Sequence, residues 1–432
     1  MFGKIVRAAL RQGMVLSASM LAAQGITSTA NATDGYFQYG YGARQKALGG
    51  AGVADSRDAT AAALNPAGLV HAPTELTVSG TLFSPLRSYS VSGAGPTPAG
   101  EFDSKGNYFP VPNLAFTYRD HGLPFVDVIG VTVYGNGGMN TEYPANLFSA
   151  FGSSGRLGVD FEQAFVSVAF AKTLAPGLSV GVAPILARQA IKLEGLQGFA
   201  PFSSDPAHVS NQGTDVSWGG GVRAGVEWAL APQLRIGVAG NSRIYTHEFE
   251  KYRGLFAERG GFDVPASVQA GIAFDATPNL TFLADYKRIW YGSVASIANP
   301  STNILAGVPL GTDYGPGFGW KDIDVIKVGA EWRNLGNLTL RAGYSYNTSP
   351  LQSRDVLFNV LAPATVQHHI TGGFEYVWSK DLSFEVAGAY VPEANISGSH
   401  LFMGQTIELE MHQWEATVGL KYRFDQAPAP LK

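Results

Sequence analysis

The side chains best suited to chemistry in this 432-residue chain are few and poorly placed for catalysis. His368 and His369 stand side by side at the start of an alternating segment, and imidazole is the group that exchanges a proton most readily near neutral pH. Neighbours in an extended chain point to opposite faces, so the two rings cannot form one compact metal or acid–base pair unaided. No Gly-x-Ser-x-Gly elbow, His-Glu-x-x-His run, phosphate loop or Gly-x-Gly-x-x-Gly fingerprint occurs, and these are the patterns that hold a nucleophile, a metal or a phosphate. Cysteine is absent, which removes thiolate nucleophiles, thiolate metal sites and any disulfide framework. We therefore expect no enzyme, no cofactor and no metal site.

A second set of side chains offers charge rather than reactivity. Arg223, Glu227, Arg235, Asp285, Lys287, Lys327, Glu331, Arg341, Glu375 and Glu385 fall at the polar positions of alternating segments. They can pair with one another across a shared face, or each can simply be solvated.

The elements that carry them follow one habit. From residue 74 onward, segments of about ten to sixteen residues alternate apolar with polar or small side chains, the period-two mark of a strand with different solvents on its faces. In the last one, Trp414, Ala416, Val418, Leu420, Tyr422 and Phe424 share a face opposite Glu415, Thr417, Gly419, Lys421 and Arg423. A soluble sandwich alternates too, so the connections must decide. Short ones fall near 121–124, 175–177, 231–233, 277–279, 335–337 and 379–381, and long ones around 90–106, 144–156, 194–213, 247–262, 292–320, 348–364 and 392–405. Short turns at one end and long loops at the other are the mark of a bacterial outer-membrane barrel, here of about 14 strands. Aromatics near strand ends, as in Tyr286, Trp290 and Tyr291, or Tyr376 and Trp378, or Tyr422 and Phe424, fit its interfacial girdles.

Composition agrees. Charged residues are 15 % and hydrophobic ones 45 %, yet mean hydropathy is only +0.03. That average suits an apolar face for lipid and a polar or glycine face for a lumen. No basic block accompanies the net charge of −4, so a nucleic-acid surface is excluded.

The ends of the chain read differently. Lys4, Arg7 and Arg11 precede an apolar stretch and then Ala30-Asn31-Ala32, so residues 1–32 read as a cleaved signal peptide. Residues 33–72 hold no lipid-facing strand; their glycines, Asp55, Arg57, the alanines 61–63 and Asn65-Pro66-Ala67 suit a compact hatch packed inside a barrel spanning 73–424. A loose leader is the other reading. Residues 425–432, with Pro428 and Pro430, read as a short periplasmic tail.

The run Gly40-Tyr41-Gly42-Ala43-Arg44-Gln45-Lys46-Ala47-Leu48-Gly49-Gly50, followed by Ala62-Ala63-Leu64-Asn65-Pro66-Ala67-Gly68 and the barrel pattern, resembles the FadL family of outer-membrane transporters for long-chain fatty acids and other hydrophobic compounds. The resemblance spans the mature chain; its specific part is the glycine-rich opening and Asn-Pro-Ala. It implies passive uptake by a monomer among lipid and lipopolysaccharide: loading at an apolar outer groove, rearrangement of the hatch, and lateral exit through a kinked third strand. Exit is expected where the inner half of the wall borders ordinary lipid. Glycines in Tyr134-Gly135-Asn136-Gly137-Gly138 weaken the third strand, about 126–143, and invite a bulge; this is either a bend of barrel packing or, because the position matches the kink of the family's third strand, a lateral gate at Asn136, Gly137 and Gly138. Leu193, Leu196, Phe199 and Phe202 in one long loop and Leu255 and Phe256 in the next are candidates for the groove, or for small private cores within each loop. Arg188 falls where the family places a lumenal arginine, able to clamp an acid headgroup or to pair with a wall carboxylate. The cargo implied is a long-chain fatty acid, or else an aromatic or aliphatic hydrocarbon, for which no clamp is needed. A non-selective porin and an adhesive barrel are the rivals from other classes.

Overall fold

The computed structural model describes residues 34–119 and 124–424. The expected signal peptide, part of the first expected turn and the expected tail lie outside the described residues. The chain forms one antiparallel sheet of 16 strands that closes on itself. Its strands are β1 (Glu75–Ser92), β2 (Gly100–Asp103), β3 (Phe109–Arg119), β4 (Val128–Tyr143), β5 (Leu157–Ala175), β6 (Leu178–Glu194), β7 (Asp215–Ala231) and β8 (Leu234–Asn241). There follow β9 (Tyr245–Thr246), β10 (Ser267–Thr277), β11 (Leu280–Ile289), β12 (Ile323–Leu335), β13 (Leu338–Asn347), β14 (His368–Val377), β15 (Leu382–Ser399) and β16 (Thr406–Arg423). β2 and β9 pair only with β1 and β7; the other 14 make the wall of the barrel. Closure runs from Glu75↔Arg423 to Ser92↔Thr406, so every wall strand has two neighbours and the sheet closes without an edge strand.

Alternation sorts the side chains as the period requires. Outward positions such as Val226, Trp228, Ile326, Val328, Trp332 and Leu420 are exposed and apolar, whereas Arg223, Glu227, Lys327, Glu331, Arg341 and Lys421 are buried inside. One expected loop is mostly strand. β15 continues to Ser399 and leaves only 400–405 as a connection, because a bulge between Val391 and Ala394 takes Pro392 and Glu393 out of the ladder and pairing then resumes. Proline lacks the N–H a ladder needs, so this sequence mimics a loop start while the bulge absorbs the defect.

Residues 34–72 lie inside the wall. Helix α1 (Gly42–Ala47) touches β1 and β13 to β16, while the short helical turns Ala59–Ala63 and Pro66–His71 touch the opposite side, β3 to β7. Asp58 accepts from Thr60 N–H at 2.9 Å and Asn65 from Ala67 N–H at 3.1 Å, capping those two turns. Asn65 also donates to the carbonyls of Val53 at 2.7 Å and Val226 at 3.1 Å, and Pro66 and Ala67 press against Gly181 of β6. Asp55 takes Arg44 at 2.8 Å and Arg235 of β8 at 2.9 Å, with half-exposed Arg57 on its other side. Arg44 reaches on to Glu331 of β12 at 3.0 Å.

Candidate functional site

Among the outer loops, Leu193, Leu196, Phe199, Leu255 and Phe256 line one cleft of about 450 Å³ with Leu310, Phe318, Phe358 and Leu361. Ser296 is its single hydroxyl-bearing side chain, and no charged group lines it. The two loops thus share one apolar surface instead of closing on separate cores. Phe202 is not in it; its ring is 42 % exposed and reaches only the flank of Phe199, at 6.5 Å. Ordering comes from the loops' own polar groups, since the buried Tyr252 hydroxyl donates to Gly213 O at 2.7 Å and takes Leu193 N–H at 3.0 Å.

Beneath the cleft lies the first described stretch of the inner segment. Phe256 of the groove packs on Phe262 at 5.0 Å, and Phe262 on Tyr36 at 6.4 Å. Tyr36 also meets Phe161, Tyr291 and Trp320, with centroids 5.9, 5.1 and 5.9 Å away; Tyr291, expected in the interfacial girdle, is thus buried inside. This ring stack is held by Asp34, whose carboxylate receives Lys287 at 3.0 Å and Lys327 at 3.1 Å, and whose carbonyl receives the Tyr291 hydroxyl at 2.6 Å. Burial alone would raise the Asp34 carboxyl, but the two lysines outweigh it and hold its pKa down at about 2.

The same stretch is fastened to β4, the third wall strand. Gln38 N–H donates to Asn136 O at 2.8 Å and Gly138 N–H to Tyr36 O at 3.0 Å. β4 shifts register against β5 between Gly135 and Gly137, leaving Asn136 as the extra residue. Its side chain turns inward, donating to Gln163 at 2.9 Å and accepting from the Tyr41 hydroxyl at 2.8 Å. A Cβ on Gly137 would lie 1.8 Å from Tyr36 O, so only glycine permits this approach.

On its other edge β4 parts from its neighbour. Pairing with β3 runs from Arg119↔Val128 to Asn113↔Tyr134 and stops there, although β3 stays paired to β1 as far as Phe109. Contact resumes where Lys105 N–H donates to Glu142 O at 2.8 Å. The break therefore faces residues 135–141, in the half of the wall nearer the long loops. This corrects the expectation of an exit in the turn half, where the ladder is intact. Behind the break is a cleft of about 430 Å³ lined by Gly35, Phe83, Arg87, Gly138, Met139, Asn140, Trp320, Val366 and Met411, with residues 362–364.

Arg188 does not join this site. Ala187 and Gln189 are the buried inward neighbours, so Arg188 points outward with exposed Leu186 and Val182. The lumenal position came from the family resemblance, and strand parity overrides it. No local pattern singles out Tyr36, Asp34, Trp320 or Arg87, which matter only through contacts from distant segments.

A family model described as outer membrane protein transport protein (OMPP1/FadL/TodX) matches residues 23–425. Among solved structures, the chain is similar to the toluene transporter TodX of P. putida, at 18 % identity, TM-score 0.67, covering 90 % of this chain and 99 % of that one. It is similar to a FadL homologue of Pseudomonas aeruginosa at 13 % identity and TM-score 0.67, covering 90 % and 100 %. The toluene transporter TbuX of Ralstonia pickettii gives 18 % identity and TM-score 0.62, covering 90 % and 99 %. No curated protein matches the chain.

Proposed function

Because the chain belongs to the OMPP1/FadL/TodX family of outer membrane transport proteins, its barrel stands in the outer membrane, and from this premise we propose a path for hydrophobic cargo through it. A molecule leaves water for the groove of Leu193, Leu196, Phe199, Leu255 and Phe256, where each methylene buried is worth about 0.8 kcal/mol. The inner segment acts as a hatch whose first residues move. When Tyr36 swings away from Phe262 and Trp320, the groove connects with the cleft beside Gly138 and Asn140. Cargo then leaves sideways between β3 and β4, past Asn136, Gly137 and Gly138. No bond is made or broken, and the gradient supplies the direction.

One observation carries this reading: Tyr36 lies between the two clefts on a stretch hydrogen-bonded to the strand whose ladder breaks. A non-selective porin is disfavoured because residues 34–72 fill the lumen from side to side. The cargo is a long-chain fatty acid or, by the same path, an aromatic or aliphatic hydrocarbon. Uptake of a radiolabelled fatty acid and of a labelled aromatic hydrocarbon is to be compared in cells with and without the gene. At least one should depend on it while a polar sugar does not; if neither hydrophobic compound does, the transport reading fails.

A further inference from the structure

We propose that Arg87 forms an anion site at the wall break, taking the carboxylate of an acid with an apolar tail. The proposal rests on the transport reading above and assigns that path a cargo class. Arg87 projects from β1 into the cleft behind the break and is 5 % exposed. Its two terminal nitrogens donate to the carbonyls of Asn140 and Gly106, bracing β4 and the preceding loop across the top of the break. Its Nε–H has no hydrogen-bond partner, and its guanidinium carbon lies 5.5 Å from the centre of the Phe109 ring.

The other buried arginines differ. Arg223 also lacks a carboxylate, but its Nε–H is taken by Asn241 Oδ1 at 2.6 Å and a terminal nitrogen by Ala62 O at 3.0 Å; the remaining buried arginines are paired with acids. Arg44 holds Asp55 and Glu331, Arg235 holds Asp55 and Asp275, and Arg341 holds Glu331, Glu375 and Glu385. Among the described residues no carboxylate pairs with Arg87, and the titratable group facing it is the Tyr143 phenol. A buried cation without an anion is far costlier than a paired one. A guanidinium offers five N–H donors, and two carbonyls occupy only part of that capacity. The free Nε–H and a neighbouring nitrogen form the fork that grips a carboxylate through both oxygens. Phe83, Met139, Trp320 and Val366 supply the apolar wall against which the first carbons of a tail would lie. A hydrocarbon would cover the same wall yet leave the cation unanswered.

The test uses the whole barrel in detergent, titrated with a brominated long-chain fatty acid and with its methyl ester. Quenching is followed at Trp320, whose signal is identified by its loss in a Trp320→Phe variant. Arg87→Met should weaken binding of the acid about tenfold or more, the scale of a charged hydrogen bond, while the ester changes less than about twofold. Arg87→Gln, which keeps donors for the two carbonyls, serves where the Met variant does not fold, and Arg87→Lys should recover part of the acid's affinity. Acid and ester falling together, or an unchanged acid, would overturn the site. Native protein that binds neither compound would sink the transport reading itself, a separate outcome.

Discussion

Asp34 shares one carboxylate oxygen between Lys287 and Lys327 while its backbone carbonyl takes the Tyr291 hydroxyl, so it anchors the start of the stretch that carries Tyr36. A carboxyl held at about 2 against an ordinary 3.8 stabilises the folded form above the ordinary value and loses that contribution as pH falls toward 2. The difference is worth about 2 kcal/mol. Trp320 fluorescence, which reports on the neighbouring Tyr36, should therefore stay constant from pH 8 down to about 4 and change only below that; a transition near neutrality would show that another group controls the stretch. Asp34→Asn should act at all pH values, because it strands two buried ammonium groups at a local cost of about 3–5 kcal/mol. Hydrogen exchange at residues 34–38 should accelerate accordingly, with the wall strands unaffected.

Strand β4 makes an opening without unravelling, because the register shift at Asn136 is confined to one residue and pairing with β5 continues to Tyr143↔Leu157. Of the glycines at the bulge, Gly137 is the one whose close approach to the inner segment a substitution can test. A valine at Gly137 collides with the Tyr36 carbonyl and should displace the inner stretch, speeding exchange at residues 34–38 and raising hydrophobic uptake several-fold. Unchanged exchange at residues 34–38 in a folded Gly137→Val variant would show that the bulge does not position the inner segment. The barrel pattern was legible in the sequence because alternation in β16 or β12 is a local property, and the glycines of β4 announced a weak strand. Their contact with Tyr36 was not legible, since it joins residues about a hundred positions apart. Nor was the continuation of β15 past Pro392, because a bulge and a loop begin with the same residues. Apolar residues could be named in the two loops separately, but not which of them share a cleft, because loop sequence carries no period to tell lining from rim; Phe202 lies outside it.

Across the whole molecule, the interior is a set of charges that neither the wall nor the inner segment can satisfy alone. Arg44 and Asp55 from within bridge Glu331 and Arg235 of the wall, Lys46 pairs with Glu415, and Asp58 lies 3.7 Å from Lys421. The wall also pairs internally, as in Arg341 with Glu375 and Glu385, so its strands have a reason to close without the segment. The packing is equally tight, for a Cβ on Gly225 of β7 would fall 2.1 Å from the side-chain oxygen Oδ1 of Asn65. Deleting residues 33–72 should therefore leave a barrel that folds but melts at lower temperature, with water replacing the lost partners of Glu331, Arg235 and Glu415. In planar bilayers the shortened protein should conduct ions steadily, where the full chain is closed. If the deletion stays closed and melts with the full chain, the segment is a loose leader and the lumen is sealed by the wall and loops. A smaller change separates charge from bulk. Arg44→Met keeps volume in place but removes one of the cations shared by Asp55 and Glu331, which keep Arg235 and Arg341, so it should lower the melting temperature modestly without opening a conducting path, because the backbone of the segment still fills the lumen.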